Sequence, residues 1–274
     1  MTLDLTDISP KDFYFNPNLG RSIRDQVRDV LDSFIRRPLY KLIYSDRFTH
    51  LSWPVNLVLP EKGMSLLARR RWLNQHIPLK NSRILVIGCG DASDFGTYLG
   101  FQPREIIGVD LYNFSNCWRQ VKAYAEKNKV KTKISFIQSD IVDLDKSRIG
   151  EFDVQIVICI LHNLLNEDGF MYAAYGPLWY CWGGDHFSGR DSIDRGYNHL
   201  LLQPNDYKNY YQKNLLDPAF ELQNGGRYIE LDLFSKLSSQ EYFNTYKQFD
   251  FSIESCIIEI SKKAELVKNR PTFQ

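Results

Sequence analysis

The sequence predicts an α/β fold with a mostly parallel central sheet, and three observations predict it. Apolar runs recur along the chain, among them Ile84-Leu85-Val86-Ile87, Ile106-Ile107-Gly108-Val109 and Ile134-Ser135-Phe136-Ile137. They lack the strict alternation of a half-solvated strand, so they fit strands covered on both faces. The segments between them read as helices, and strand–helix–strand repetition implies a parallel sheet with crossover helices. Finally, the runs stop at polar residues: Gly88, Asp110 and Ser139-Asp140. Ligands of such sheets bind beyond the carboxyl ends of the strands, so these ends are where chemistry is expected.

Taken in order, residues 1–60 read as a helical extension. Ile23, Val27, Val30, Leu31, Phe34 and Ile35 share one face at helical spacing, and Pro38 is expected to end or kink that helix. A second helix is expected over residues 61–76, with Met64, Leu67 and Leu73 inward. The triplet Arg69-Arg70-Arg71 on it reads as a solvated face or as a contact for a phosphate-bearing substrate. The three runs above are the first strands, with a helix over 116–127 between the second and third. A fourth strand spans 154–160 and stops at Leu161-His162-Asn163; a fifth spans 170–175 after the turn Asn166-Glu167-Asp168-Gly169. An irregular, aromatic and glycine-rich insertion follows at about 176–225. A helix from Ser238 through Phe249 and a strand over 251–260 then complete a domain placed at 61–274.

Composition narrows the partners. The 274 residues carry 34 basic and 33 acidic side chains, a net charge of +1. That balance argues against nucleic acid or an anionic membrane as the main partner, although a neutral total leaves room for a local basic patch. The five cysteines, Cys89, Cys117, Cys159, Cys181 and Cys256, form no CxxC pair and read as thiols of a reducing compartment. No run reaches the ~18 apolar residues of a membrane span, and residues 1–20 contain no signal-like apolar stretch, so a cytoplasmic location is expected.

The richest motif is Gly88-Cys89-Gly90-Asp91-Ala92, directly after a strand and opening into a helix near Ser93. Glycines allow a tight turn and a close backbone approach by ligand, and the helix start offers free N–H groups to an anionic or carboxylate-bearing ligand. Asp110 follows Gly88 by 22 residues. An acid about 20 residues on is where a ribose-binding carboxylate stands in nucleotide folds; the alternative role is a helix N-cap. A dinucleotide fingerprint needs G-x-G-x-x-G/A, and here Ser93 holds the last position, so that fit is poor.

With these motifs in place, the chain resembles the class I S-adenosylmethionine-dependent methyltransferases, a Rossmann-like three-layer sandwich. Residues 84–91 look like their first motif, Gly108-Val109-Asp110 like the second, Ser139-Asp140-Ile141 like the adenine-contacting one, and Phe152-Asp153-Val154 with Ile160-Leu161-His162-Asn163 like the fourth. The resemblance covers about residues 62–176 and, more loosely, 237–260. It implies S-adenosylmethionine as cofactor. Gly88, Cys89, Gly90 and Asp91 would hold its methionine part, Asp110 and Leu111 its ribose, and Asp140 and Ile141 its adenine. Three features depart from the pattern. Val86 replaces the usual acid two positions before the first glycine, the link between the fourth and fifth strands is short, and no seventh strand follows the sixth.

Methyl transfer to a hydroxyl benefits from a base that removes its proton, and histidine suits that role near neutrality. His186 and His162 are the candidates, with Asp185 as an orienting carboxylate; no residue is assigned to a metal. Trp179 and Trp182 read either as loop packing or as a platform for a sugar or planar ring. The expected reaction is O-methylation of a small-molecule or saccharide acceptor. The alternatives are a non-catalytic binding module on the same fold and a nicotinamide-dependent oxidoreductase, which the glycine spacing disfavours.

Overall fold

In a computed structural model of the chain, the described residues are 15, 23–44, 55–60, 63–140, 143–144, 152–156, 165–174, 178–185, 187–215, 236–248 and 251–267. The chain divides into two compact units, residues 1–31 with 64–174 and residues 32–63 with 175–274. The described strands are β1 (Val55–Pro60), β2 (Arg83–Ile87), β3 (Glu105–Asp110), β4 (Lys133–Gln138), β5 (Phe152–Ile156), β6 (Leu165–Tyr172) and β7 (Cys256–Ile260).

The first unit holds a five-stranded sheet in the order β4-β3-β2-β5-β6, with every neighbouring pair parallel. The chain runs outward from β2 to β3 and β4, then returns to the other side of β2 with β5 and β6. That order and sense make it a Rossmann-like α/β sheet, and the reversal beside β2 is its topological switch point. The two-residue period of a strand divides β2 between two cores. Ile84 and Val86 pack with Ile106, Phe95, Trp118 and Val121 on one face, and Leu85 and Ile87 with Ile107 and Val109 on the other. Ile106 is fully buried. Ile106→Ala is expected to lower unfolding free energy by about 2–5 kcal/mol, read from a denaturant melt.

At the amino end of the sheet, Glu105 is buried and faces a cation on each neighbouring strand. Its register partners are Arg83 on β2 and Lys133 on β4. Arg83 Nε lies 2.5 Å and Lys133 Nζ 2.7 Å from its two carboxylate oxygens. Burial pushes the Glu105 carboxyl up, but the hydrogen bonds from Arg83 and Lys133 outweigh it and hold the pKa below the ordinary glutamate value. A depressed carboxylate stabilises the fold above its unfolded pKa, ~4.3 for glutamate, and that contribution fades as pH falls through the folded value. Glu105→Gln is therefore expected to destabilise the protein at pH 7, with the gap between variant and parent closing in urea melts run at progressively lower pH below 4.3.

Several expectations are corrected. The helix expected to end or kink at Pro38 does not end there. The helix α1 (Ile23–Leu31) passes through a wider π turn at Asp32–Arg36 and resumes as α2 (Arg37–Tyr44). A proline ring removes one N–H and crowds the carbonyl four residues back, and a π turn just before it is one way to accommodate both. The stretch read as helical extension also contains β1, which pairs in parallel with β7 in a separate two-stranded sheet of the second unit. The last strand is therefore no sixth member of the main sheet. Asn166-Glu167-Asp168-Gly169 lies inside β6 rather than before it. The ladder jumps from Phe152↔Leu165 to Val154↔Phe170, and these residues fall in that irregularity.

The arginine triplet is a solvated face only in part, since Arg71 is exposed and Arg70 is not. On α3 (Leu66–His76), which Ser65 caps by accepting from the Ala68 N–H, Arg70 is 5% exposed, while Arg71 reaches Asp29 at 3.5 Å.

Candidate active site

The glycine loop leaves β2 at the switch point. Gly88, Gly90 and Ala92 are all left-handed, at φ 64°, 52° and 59°. This alternation turns the chain back sharply without a helix and is what glycine makes easy. A Cβ at Gly88 or Gly90 would meet nothing within 4 Å. Backbone conformation, not crowding, therefore calls for glycine at both, and the space above them is open to a ligand. Asp91 accepts from the Ser93 N–H at 2.9 Å, an Asx turn just before the short helical turn Ser93–Phe95. The Cys89 thiol turns inward, and burial pushes its pKa up, so it packs as a neutral side chain.

Asp110, at the end of β3, reaches across to this loop. Its Oδ2 accepts from the Gly90 N–H at 2.8 Å and its Oδ1 from the Tyr112 N–H at 2.9 Å. Burial raises the Asp110 pKa, while backbone hydrogen bonds from Tyr112, Gly90 and Leu111 oppose the rise. With three backbone donors already placed, the carboxylate keeps about one acceptor site, enough to receive a ribose hydroxyl. The end of β4 is tied to the same place, since the Ser139 N–H donates to the Asp110 carbonyl at 2.9 Å. Asp140 follows, half-buried. Thus Gly88, Cys89, Gly90, Asp91, Asp110, Leu111 and Asp140 gather around three adjacent strand ends. Ile141 lies outside the described residues.

The floor of this corner is an aromatic stack that sequence reasoning passed over. Phe95, Phe136 and Trp118 stack in series, with ring centroids 5.3 and 5.1 Å apart. The Trp118 indole N–H donates to the Gly90 carbonyl at 2.8 Å and pins the loop from below. Gly108 makes room for the stack: a Cβ there would lie within 2.9 Å of Phe136, Cys89 and Phe95. The available signal was Trp118 one turn into α5 (Ser115–Lys127), whose inner face it shares with Val121. Val86 is 5% exposed and belongs to this apolar cluster. Beside it, Arg70 pairs with Asp94 at 3.1 Å, and its guanidinium lies 4.2 Å from the Tyr98 ring centroid. Asp94 stands two residues past Ala92, so the pair buttresses the far end of the glycine loop.

The second unit contains the aromatic, glycine-rich segment. Asp185 is 1% exposed and heavily engaged. It accepts from the N–H groups of Phe187 and Ser188 at 3.1 and 2.7 Å, from the Ser188 hydroxyl at 2.6 Å and from the Tyr207 hydroxyl at 2.7 Å. His199 Nδ1 stands 3.8 Å away, and its Nε2 meets the Trp179 carbonyl at 2.7 Å. Burial, then Asp185, pushes the Tyr207 phenol up, so it serves as a donor. The Trp182 indole donates to the Ile193 carbonyl at 2.9 Å, and a side chain at Gly196 would strike its ring. Lys263 lies 4.3 Å from its centroid. Loop packing thus accounts for much of Trp182, and the Trp179 ring meets that of His199 edge-on at 5.1 Å. His186 and His162 lie outside the described residues. Among the described residues, no group of three or more His, Cys, Asp or Glu is placed to hold a metal ion.

No family model matches the chain, and no curated protein matches it. Solved structures are similar over part of it. The Trypanosoma brucei PRMT1 enzyme–prozyme complex with AdoHcy is 22% identical over 38% of this chain and 37% of its own, with a TM-score of 0.28. The arsenic(III) S-adenosylmethionine methyltransferase of Chlamydomonas reinhardtii is 21% identical over 35% of this chain and 39% of its own, at 0.30. PKMT2 of Rickettsia typhi is 17% identical over 62% of this chain, at 0.38. The chain spans less than two fifths of the length of the first two and 39% of the third.

Proposed function

We propose that this protein binds S-adenosylmethionine and transfers its methyl group to a hydroxyl of a small-molecule or saccharide acceptor. One observation carries the reading: three alternating left-handed residues, Gly88, Gly90 and Ala92, held to Asp110 through the Gly90 N–H at the switch point of the sheet. The spacing is that of a G-x-G-x-G loop with Ala92 in the third slot, and it leaves the space above the two glycines clear. It does not supply the glycine or alanine five residues after the first that a dinucleotide loop uses.

When bound, the cofactor supplies an electrophilic methyl on a sulfonium. The chain's own part is positioning. The loop from Gly88 to Asp91 receives the amino-acid end, Asp110 and Leu111 orient the ribose, and Asp140 with Ile141 borders the adenine. Fixed placement of acceptor and methyl is what such a reaction chiefly needs. His186 or His162 is assigned to take the acceptor's proton.

The test is a calorimetric titration with S-adenosylhomocysteine beside NAD. Micromolar binding of the first and none of the second is expected; the reverse pattern would hand the site to a nicotinamide cofactor. The affinity is also expected to depend on pH. Asp110 must be ionised to accept a ribose hydroxyl beside its backbone donors, and burial raises its pKa. Affinity should therefore fall, as pH is lowered, above the ordinary aspartate midpoint of ~3.9. Tight binding with no turnover on any hydroxylated acceptor would favour a binding module, a reading that Val86 in its apolar surroundings supports.

A further inference from the structure

The helical segment from Asp32 to Tyr44 is inside out. Phe34, Ile35, Leu39, Leu42 and Ile43 are 79, 60, 49, 76 and 57% exposed. The half-buried residues of the same segment are Arg36, Arg37, Tyr40 and Tyr44, and α2 lies against β1. The exposed set forms two adjacent rows at four-residue spacing, Phe34-Pro38-Leu42 and Ile35-Leu39-Ile43, a continuous stripe along one face. Apolar patches this contiguous mark interaction surfaces on soluble proteins.

Charge decides what covers the stripe. After Asp32, whose carboxylate takes Arg36 at 3.0 Å, the segment carries Arg36, Arg37 and Lys41 and no acid as far as Tyr44. By helical spacing Arg36 borders the Ile43 edge of the stripe and Lys41 the Phe34 edge. A second copy of the same helix would set these cations against one another, since neither copy has carboxylates there to receive them. An anionic surface suits the two that border the stripe, Arg36 and Lys41. A short apolar stripe flanked by basic residues, with tyrosines beside it, is the composition of a helix that lies in the plane of a bilayer surface. Among the described residues no helix is long and apolar enough to cross a membrane. We infer that the Asp32–Tyr44 segment docks this protein on membranes rich in anionic lipid, with Phe34, Leu42 and their row-mates entering the headgroup boundary. The chain's net charge of +1 conceals this because the cations are local.

The experiment is vesicle flotation of the full chain with phosphatidylcholine alone and with phosphatidylcholine containing roughly one third phosphatidylserine, as two vesicle populations. At least tenfold greater recovery on the anionic vesicles is expected, falling toward the neutral level at high salt. Phe34→Ser with Leu42→Ser, and separately the charge reversal Lys41→Glu at an exposed position, should each cut that recovery about tenfold while the circular dichroism spectrum and melt stay unchanged. The inference is overturned if anionic vesicles do not recruit the protein, if recovery is equal on both vesicle types, or if the variants float like the parent. It is equally overturned if sedimentation shows a dimer that Phe34→Ser with Leu42→Ser dissociates while lipid recovery is nil. None of these outcomes depends on whether the glycine loop binds a cofactor.

Discussion

Asp110→Ala is expected to weaken S-adenosylhomocysteine binding by about 30–100-fold. The carboxylate has two tasks at once: it holds the Gly90 N–H at 2.8 Å and the Tyr112 N–H at 2.9 Å, and it offers its remaining acceptor site to the ribose. A hydrogen bond to a charged group contributes about 1.5–3 kcal/mol, and 1.4 kcal/mol is a tenfold change in affinity. Losing the ribose contacts and the geometry of the loop together gives that range. The companion variant, Asp110→Asn, separates the tasks. Its amide oxygen can still serve one N–H, but its amide nitrogen cannot accept, so either Gly90 or Tyr112 loses a partner. It should bind with intermediate affinity and lose the dependence on acidic pH expected of the parent. Unchanged calorimetric affinity in a folded Asp110→Ala protein would sink the cofactor assignment.

The second large effect is on stability. Asp185→Ala is expected to cost about 3–5 kcal/mol and to lower the thermal midpoint by roughly 10 °C. One buried carboxylate takes two N–H groups and the hydroxyls of Ser188 and Tyr207, and its removal strands all four donors, those of Phe187 and Ser188 in buried residues. Ser188→Ala and Tyr207→Phe should each cost about 1 kcal/mol. Combined with Asp185→Ala they should add almost nothing, because the partner is already gone. This cycle discriminates between two roles for Asp185. If it serves to orient His186, its replacement will depress turnover and spare the melt; if it ties the segment together, the melt will fall whatever happens to turnover.

The site was legible where local chemistry and strand order coincide. Glycine after a buried apolar run, followed by aspartate at the end of the next, needs no tertiary information, because the turn and the strand end are local events. The candidate positions at Gly88 to Ala92, Asp110 and Asp140 were read from that, while their assignment to parts of a cofactor came from the family resemblance. Trp118 was missed because an aromatic on an amphipathic helix looks the same whether it fills a core or braces a loop. Its bond to the Gly90 carbonyl, 28 residues away, exists only after β2 and α5 are packed. Arg70 was misjudged for a related reason. Three consecutive arginines point in three directions on a helix, and only the position of Asp94 and Tyr98 decides that the middle one turns inward.

By itself, then, the sequence determined the alternation of strand and helix, the parallel sense of the sheet, and the polar strand ends at which its glycine loop and Asp110 meet. These follow from hydrophobic period and chain stereochemistry, which act over a few residues. Tertiary structure alone decided that β7 pairs with β1, that Asn166 to Gly169 is absorbed within β6, that Asp185 is a buried knot of hydrogen bonds, and that the apolar face of Asp32–Tyr44 is exposed. Strand partnership and the direction in which an amphipathic face points are set by which distant surfaces compete to bury it, and that competition involves residues some 200 positions apart, as in Val55↔Cys256.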